Sequence, residues 1–280
     1  MKRWRLRRLS SRALLYGGAL VLVLQAAFPF LWMVSTSFKP PREVFAQPPT
    51  FIPQDLVWEN FGRLFTTTNF LIYFRNSLIV CGLTVLLTMV VSAAGAYSLT
   101  RYRYPGREKI AGLILCTYMF APIMVVIPFF ILVKKLGIEN THLALVLALT
   151  SFCLPFTLWL LRAFFQTIPI ELEQAALVDG AGRLRAVIYV VLPLALPGIV
   201  ATSIFTFILA WNDYIFTRIL IASDELKTLP VGVQDLFHSA LTDWGLIMAA
   251  GMMITIPALI FFVTVQRYLI RGWGAGAVKG

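Results

Sequence analysis

Stretches of about twenty consecutive apolar residues recur along this chain, and no other feature limits its fold so strongly. A run of ~20 such residues is what a helix needs to cross the hydrocarbon of a bilayer. Windows of that kind, each poor in charge, run from Leu14 to Ser35, Asn76 to Leu99, Ile110 to Val133, His142 to Leu161, Leu196 to Phe216 and Leu246 to Val265. In hydrocarbon a peptide group has no water to bond, so each segment must satisfy its own backbone as a helix or close into a barrel. Barrel strands are short and alternate in hydropathy; these runs are long and uniformly apolar. The expectation is an all-α membrane protein with six transmembrane helices. Pro29, Pro122, Pro128, Pro155 and Pro257 lie inside the spans, where each removes a donor and tends to kink its helix.

Composition narrows the function. The chain is 59% hydrophobic and 13% charged over 280 residues, against about 25% charged in an ordinary globular domain, which leaves no place for a large soluble catalytic domain. Its formal charge of +11 would suggest nucleic acid in a soluble protein. Here the basic residues sit at the ends of spans, and no nucleic-acid partner is expected. They also orient the chain. Lys2, Arg3, Arg5, Arg7, Arg8 and Arg12 in the tail 1–13, Arg101, Arg103, Arg107 and Lys109, then Arg162, Arg183 and Arg185, and finally Arg267, Arg271 and Lys279 fall on one side. They outnumber Lys39, Arg42, Arg63, Arg75, Lys134, Lys135, Arg218 and Lys227 on the other. The positive-inside bias places both termini in the cytoplasm.

The expected organisation is therefore a basic cytoplasmic tail (1–13), a first span (14–35), a Pro- and aromatic-rich extracytoplasmic loop (36–75), a core of five further spans (76–267) and a cytoplasmic C-terminal tail (268–280). The first span exceeds a signal peptide's 7–15 residue apolar region and runs into Phe28-Pro29-Phe30-Leu31-Trp32, not a small-residue cleavage site, so it reads as uncleaved. Cys81, Cys116 and Cys153 are isolated within apolar runs and read as small core hydrophobes. His142 and His238 are solitary, and no metal-ligand spacing occurs.

One connection is of a different kind. Residues 163–193 contain "IPIELEQAALVDGAGRLRAVIYVVLP", small and charged where the surrounding text is apolar. Pro169 suits a helix's beginning, Glu171 and Glu173 place negative charge at its positive end, and Gly180 and Gly182 can turn the chain at the other. Ala175 and Ala176 would let another surface approach the backbone closely. The result is a short helix, a glycine turn and a second helical piece from Arg183 to Leu192: a knuckle on the cytoplasmic side.

These residues resemble a known family. Gln174-Ala175-Ala176, Gly180, Val190 and Leu192-Pro193 follow the signature of the permease subunits of binding-protein-dependent ABC importers. "LPFTLWLLRAFFQTIPIELEQAALVDGAG" (154–182), "AWNDYIF" (210–216), "TLPVGVQ" (228–234) and "AGAVKG" (275–280) are similar to the carbohydrate-uptake branch, notably the second, six-span permease subunit of maltose-type transporters. The chain departs from the pattern at Gln174, usually Glu, with Glu173 adjacent, and at Gly272-Trp273-Gly274, usually Gly-Leu-Thr.

The resemblance implies a type I ABC importer permease fold in a bacterial or archaeal cytoplasmic membrane, surrounded by lipid. It implies a cytoplasmic coupling helix in which Glu173, Gln174, Ala175, Ala176, Asp179 and Gly180 meet an ATPase, and a C-terminal contact through Gly276, Ala277, Val278, Lys279 and Gly280. The implied partners are a second permease subunit in a heterodimer, two ATPase subunits and an extracytoplasmic solute-binding protein. ATP and Mg would belong to the ATPase subunits, with no cofactor on this chain. A phosphate-cradling loop needs G-x-x-x-x-G-K-[ST], and the sequence has no Gly-Lys pair. The implied cargo is a sugar, an oligosaccharide or a related polyol or sugar phosphate. Trp211, Asn212 and Asp213 are the candidates for the translocation path, although interfacial anchoring explains them equally well. An ion-coupled secondary transporter would want several carboxylates within the spans, and these spans offer almost none.

Overall fold

A computed structural model describes residues 2–237 and 243–276, with side chains described over 14–237 and 243–266. Among these residues the structure is helical, without strands. In chain order the helices are α1 (Lys2–Ser37), α2 (Pro41–Val44), α3 (Glu59–Thr66), α4 (Phe70–Arg101), α5 (Arg107–Thr117), α6 (Pro122–Lys135), α7 (His142–Gln166), α8 (Ile170–Val178) and α9 (Arg183–Ala186). After a π-helical turn (Val187–Val191) come α10 (Leu192–Leu194), α11 (Leu196–Trp211), α12 (Ile215–Leu220), α13 (Leu229–Leu236) and α14 (Trp244–Gly276).

Within α1, α4, α7 and α14, the segments Leu14–Ser37, Phe70–Arg101, His142–Gln166 and Trp244–Gln266 are each long and apolar enough to cross a bilayer alone. The third predicted span is not a single rod, and the fifth, Leu196–Phe216, is one helix only to Trp211, with a bend just before it. Arg107–Thr117 meets Pro122–Lys135 at 99°, and Arg183–Leu194 meets Leu196–Trp211 at 75°; counting each bent pair as one span gives six. At the first bend proline is the local cause. Ala121, before Pro122, is extended at φ −62° and ψ 143°, as the pyrrolidine ring requires of its predecessor. Basic residues 2–12 continue α1 as helix, and α14 remains helical through the glycine-rich 272–276, because extending an existing helix adds a hydrogen bond per residue fixed.

The described chain divides into two compact units. One comprises residues up to Thr68 together with 235–255. Its outer segment is folded, not loose. Asn60 donates from Nδ2 to the carbonyls of Ser37 at 2.9 Å and Lys39 at 3.0 Å. Buried Glu43 accepts from the Thr50 hydroxyl at 2.7 Å and from the Gln54 amide at 3.0 Å, and the Thr50 bond is the main force holding its carboxyl below the usual range. Buried Lys39 donates to the Thr50 carbonyl, and its ammonium lies 4.7 Å from the Trp32 ring.

The other unit, 69–234 with 256–276, holds the bundle that carries the knuckle. On α4 the buried face reads Ser77, Cys81, Thr84, Thr88, Ser92 and Ala96 at steps of three or four. Side chains this small allow neighbouring backbones to approach closely, which in lipid replaces the missing hydrophobic drive between helices. The Thr157 and Thr206 hydroxyls, 3.1 Å apart, join α7 to α11. A Cβ added at Gly198 on α11 would lie 2.4 Å from the Phe164 ring of α7. Cys81 and Cys153 are buried as expected; Cys116, in the last turn of α5 just before the bend to α6, is exposed instead. His142 opens α7 and bonds the Leu226 carbonyl through Nε2 at 3.1 Å, while His238 lies outside the described residues.

Candidate functional site

The 163–193 connection forms a rigid knuckle. Ile170–Val178 is helical, and its end is closed by hydrogen bonds from the Ala181 amide to the Ala176 carbonyl at 3.0 Å and from the Gly180 amide to the Leu177 carbonyl at 3.1 Å. That pair of bonds is a Schellman closure, which needs a left-handed residue after the helix. Gly180 supplies it at φ +85°. Gly182, at φ −69° and ψ 157°, then starts α9. The second piece is less regular than a single helix. Pro193 has no amide to donate to the turn below it, and the strand of helix before it widens, with the Leu192 amide bonding the Val187 carbonyl five residues back.

Beneath the knuckle Ala96, Leu161, Phe165, Ile168, Val191 and Ala195 form a buried cluster joining the ends of α4, α7 and α11. Glu173 points into this support. Its carboxylate accepts from Arg101 Nε at 3.1 Å and from the Tyr97 hydroxyl, and both ion-pair side chains are 9% exposed. Arg101 also donates from Nη2 to the Ile168 carbonyl at 3.0 Å. On the other flank the Arg183 guanidinium lies 5.7 Å from the Tyr102 ring. Arg162, buried in the last turns of α7, donates to both Glu108 oxygens at 2.6 and 2.8 Å, and this contact holds the Glu108 carboxyl below its usual range.

Around the buried Glu173 the knuckle exposes several large apolar side chains. Val178 is 88% exposed, Leu184 73% and Tyr189 75%, with Leu172 and Leu177 beside them. Gln174, Ala175, Asp179 and Gly180 are exposed with them, and Ala176 is half-buried. The structure thus gathers the expected coupling residues on one short element but turns Glu173 away from the rest. Tyr97, Arg101, Tyr102 and Arg183 belong to the site as well. Sequence spacing could not find them, because Glu173 and Arg101 are 72 positions apart.

The second set of candidates has local duties. Trp211 is buried against Phe207 and, edge-on, against Phe74, with ring centroids 5.4 and 6.1 Å away. Asn212 donates from Nδ2 to the Ile208 carbonyl at 2.9 Å. Asp213 accepts from the amides of Phe216 at 3.2 Å and Thr217 at 2.9 Å, and from the Thr217 hydroxyl at 2.9 Å, closing the open start of α12 as a capping carboxylate does. Asp213→Ala should therefore destabilise the fold by about 1 kcal/mol and leave the apparent affinity for solute unchanged; thermal melts paired with uptake titrations check this. Of the C-terminal candidates, Gly276 ends α14, while Ala277, Val278, Lys279 and Gly280 lie outside the described residues. Among the described residues no group of His, Cys, Asp and Glu could hold a metal ion.

Residues 92–274, including the whole knuckle, match the family described as "Binding-protein-dependent transport system inner membrane component". The trehalose/maltose transport system permease protein MalG of Thermococcus litoralis is 35% identical over 96% of this chain and 97% of its own. The diacetylchitobiose uptake system permease protein DasC of Streptomyces coelicolor is 38% identical over 94% of this chain and 95% of its own. Among solved structures, a bacterial ABC transporter involved in the import of the acidic polysaccharide alginate superposes with a TM-score of 0.81 at 25% identity, covering 92% of this chain and 97% of that one. Fold, knuckle and relatives agree: the chain belongs to the inner-membrane permease subunits of binding-protein-dependent ABC importers and is not itself the ATPase.

Proposed function

We propose that this chain forms one half of the translocation pathway of an ATP-driven sugar importer and that its knuckle seats in a separate ATPase subunit. The observation that carries this reading is the exposed apolar ridge of the knuckle, held on a buried and ion-paired mount. Large apolar side chains left exposed on a polar, glycine-closed turn mark a surface that another protein covers. The ridge residues Leu177 and Val178, with Gln174, Ala175, Ala176, Asp179 and Gly180, make the contact; Gly276 to Gly280 reach between the cytoplasmic subunits. Glu173 belongs to the mount.

Two ATPase subunits, holding ATP and Mg, would close beneath this chain and a second permease subunit, and the pair would rock between inward-open and outward-open states. A solute-binding protein would deliver the sugar to the opposite face, near 36–75 and 218–243. Both termini are then cytoplasmic. The names of the relatives, trehalose/maltose and diacetylchitobiose permeases, support an oligosaccharide as cargo.

Val178→Glu tests the seat. A charge placed on the most exposed apolar residue of the ridge must be desolvated when a partner covers it, at a cost of several kcal/mol. The variant should insert normally and fail to co-purify with the ATPase subunits. Retention of full assembly and uptake would refute the seat.

A further inference from the structure

We infer that Tyr97, Arg101 and Glu173 form a latch fastening the knuckle to α4, so that a push on the knuckle is delivered into α4 as well as into its covalent neighbours α7 and α11. This rests on the proposed ATPase seat and assigns positioning residues that act behind it.

Burial is the first argument. Glu173 is the buried residue of α8, while the neighbouring Gln174 and Ala175 are exposed. A buried carboxylate is tolerated where its charge and lone pairs are matched, and here one oxygen takes the Tyr97 hydroxyl and the other Arg101 Nε. Geometry is the second. Arg101 holds two elements at once, Glu173 on α8 through Nε and the Ile168 carbonyl before α8 through Nη2. A planar guanidinium presents its donors to both acceptors in a fixed fork, which a point-like ammonium does not. Tyr102, the residue after α4, carries Arg183 of α9 against its ring. The last turn of α4 therefore grips both limbs of the knuckle.

The far end of α4 is held as firmly. Asn69 and Tyr73 donate to Asp224 at 2.7 and 2.8 Å, and Asn76 donates to the carbonyls of Glu225 and Lys227 at 2.7 and 3.0 Å. Ser77 accepts from the Leu229 amide at 2.8 Å. With 32 residues, α4 is about 48 Å long at ~1.5 Å per residue. The structure thus joins the knuckle to the 224–229 loop through one helix fastened at both ends.

The test uses the whole transporter, this chain with its permease, ATPase and binding-protein partners, in sealed vesicles, and measures solute moved per ATP hydrolysed. Glu173→Gln should still co-purify with the ATPase subunits but lower that ratio about tenfold, the scale of a lost charged hydrogen bond. Tyr97→Phe should lower it less, and the double variant should be no worse than Glu173→Gln alone, as expected of groups acting through one contact. Arg101→Lys should fall between wild type and Glu173→Gln. A normal ratio in Glu173→Gln overturns the latch. So does a loss of ATPase co-purification in Glu173→Gln with Tyr97→Phe at the wild-type ratio, since Glu173 would then touch the ATPase itself. Val178→Glu, run in parallel, separates the two readings: assembly surviving there refutes the seat, whereas failed assembly there beside a normal ratio in Glu173→Gln refutes the latch alone.

Discussion

Gly180→Val is expected to abolish ATP-driven uptake while leaving the chain inserted in the membrane. Gly180 sits at φ +85°, a region that costs an ordinary L-residue about 1–2 kcal/mol and a β-branched one more. Steric room is not the difficulty, because nothing lies within 4 Å of an added Cβ. The strain is in the backbone, and it falls on the two hydrogen bonds that close α8. To relieve it the Ala181 and Gly180 amides must leave the Ala176 and Leu177 carbonyls, which re-aims α9 and breaks the apolar ridge in two. Gly182 provides the control. It has the same open space but φ −69°, so Gly182→Ala should retain uptake. Uptake into vesicles, with insertion followed separately, checks both; equal loss in the two variants would show that flexibility, not handedness, is what the turn requires.

Gly198→Val should have the largest effect on folding. An added Cβ would lie 2.4 Å from the Phe164 ring and 2.7 Å from Phe164 Cβ. The ring could swing aside, but Cβ is fixed to the α7 backbone, so α7 and α11 themselves must separate. Overpacking of this kind costs about 1–3 kcal/mol, and here it would also disturb the Thr157–Thr206 contact between the same helices. The expected result is a strong drop in melting temperature and in the yield of folded protein in detergent. Gly82 on α4 has nothing within 4 Å of an added Cβ, so Gly82→Val should melt as wild type. A normal melt for Gly198→Val would mean that the α7–α11 packing is looser than this geometry.

The two glycines show how evenly the legible and the hidden are mixed in this chain. Gly180 is readable without a structure: a short polar helix opened by acids and closed by glycine is a local pattern, and its residues answer to neighbours within one turn. Gly198 carries no such mark. Its importance arises from Phe164, which belongs to another helix and meets it because α7 and α11 pack together. The same division runs through the site. Gln174, Ala175, Ala176, Asp179 and Gly180 could be picked out by spacing, whereas Tyr97 and Arg101 looked like an ordinary span end and one more inside-facing charge. Asp213 was visible as a costly acid beside a span, but its capping of α12 depends on a helix break after Trp211 that the apolar pattern does not mark.

By itself, then, the sequence determined that this is a helical membrane protein, roughly where its apolar helices run, and that a glycine-closed knuckle interrupts them. These follow from short-range physics: backbone groups in hydrocarbon must bond within their own segment, and a helix end is satisfied by residues a few positions away. Only the tertiary structure decided that the chain bends sharply within the third span and ahead of the fifth, that Glu173 turns inward to Arg101, and that α4 takes hold of the knuckle. Those outcomes rest on contacts between residues far apart in the chain, whose energies depend on which helices come to lie side by side.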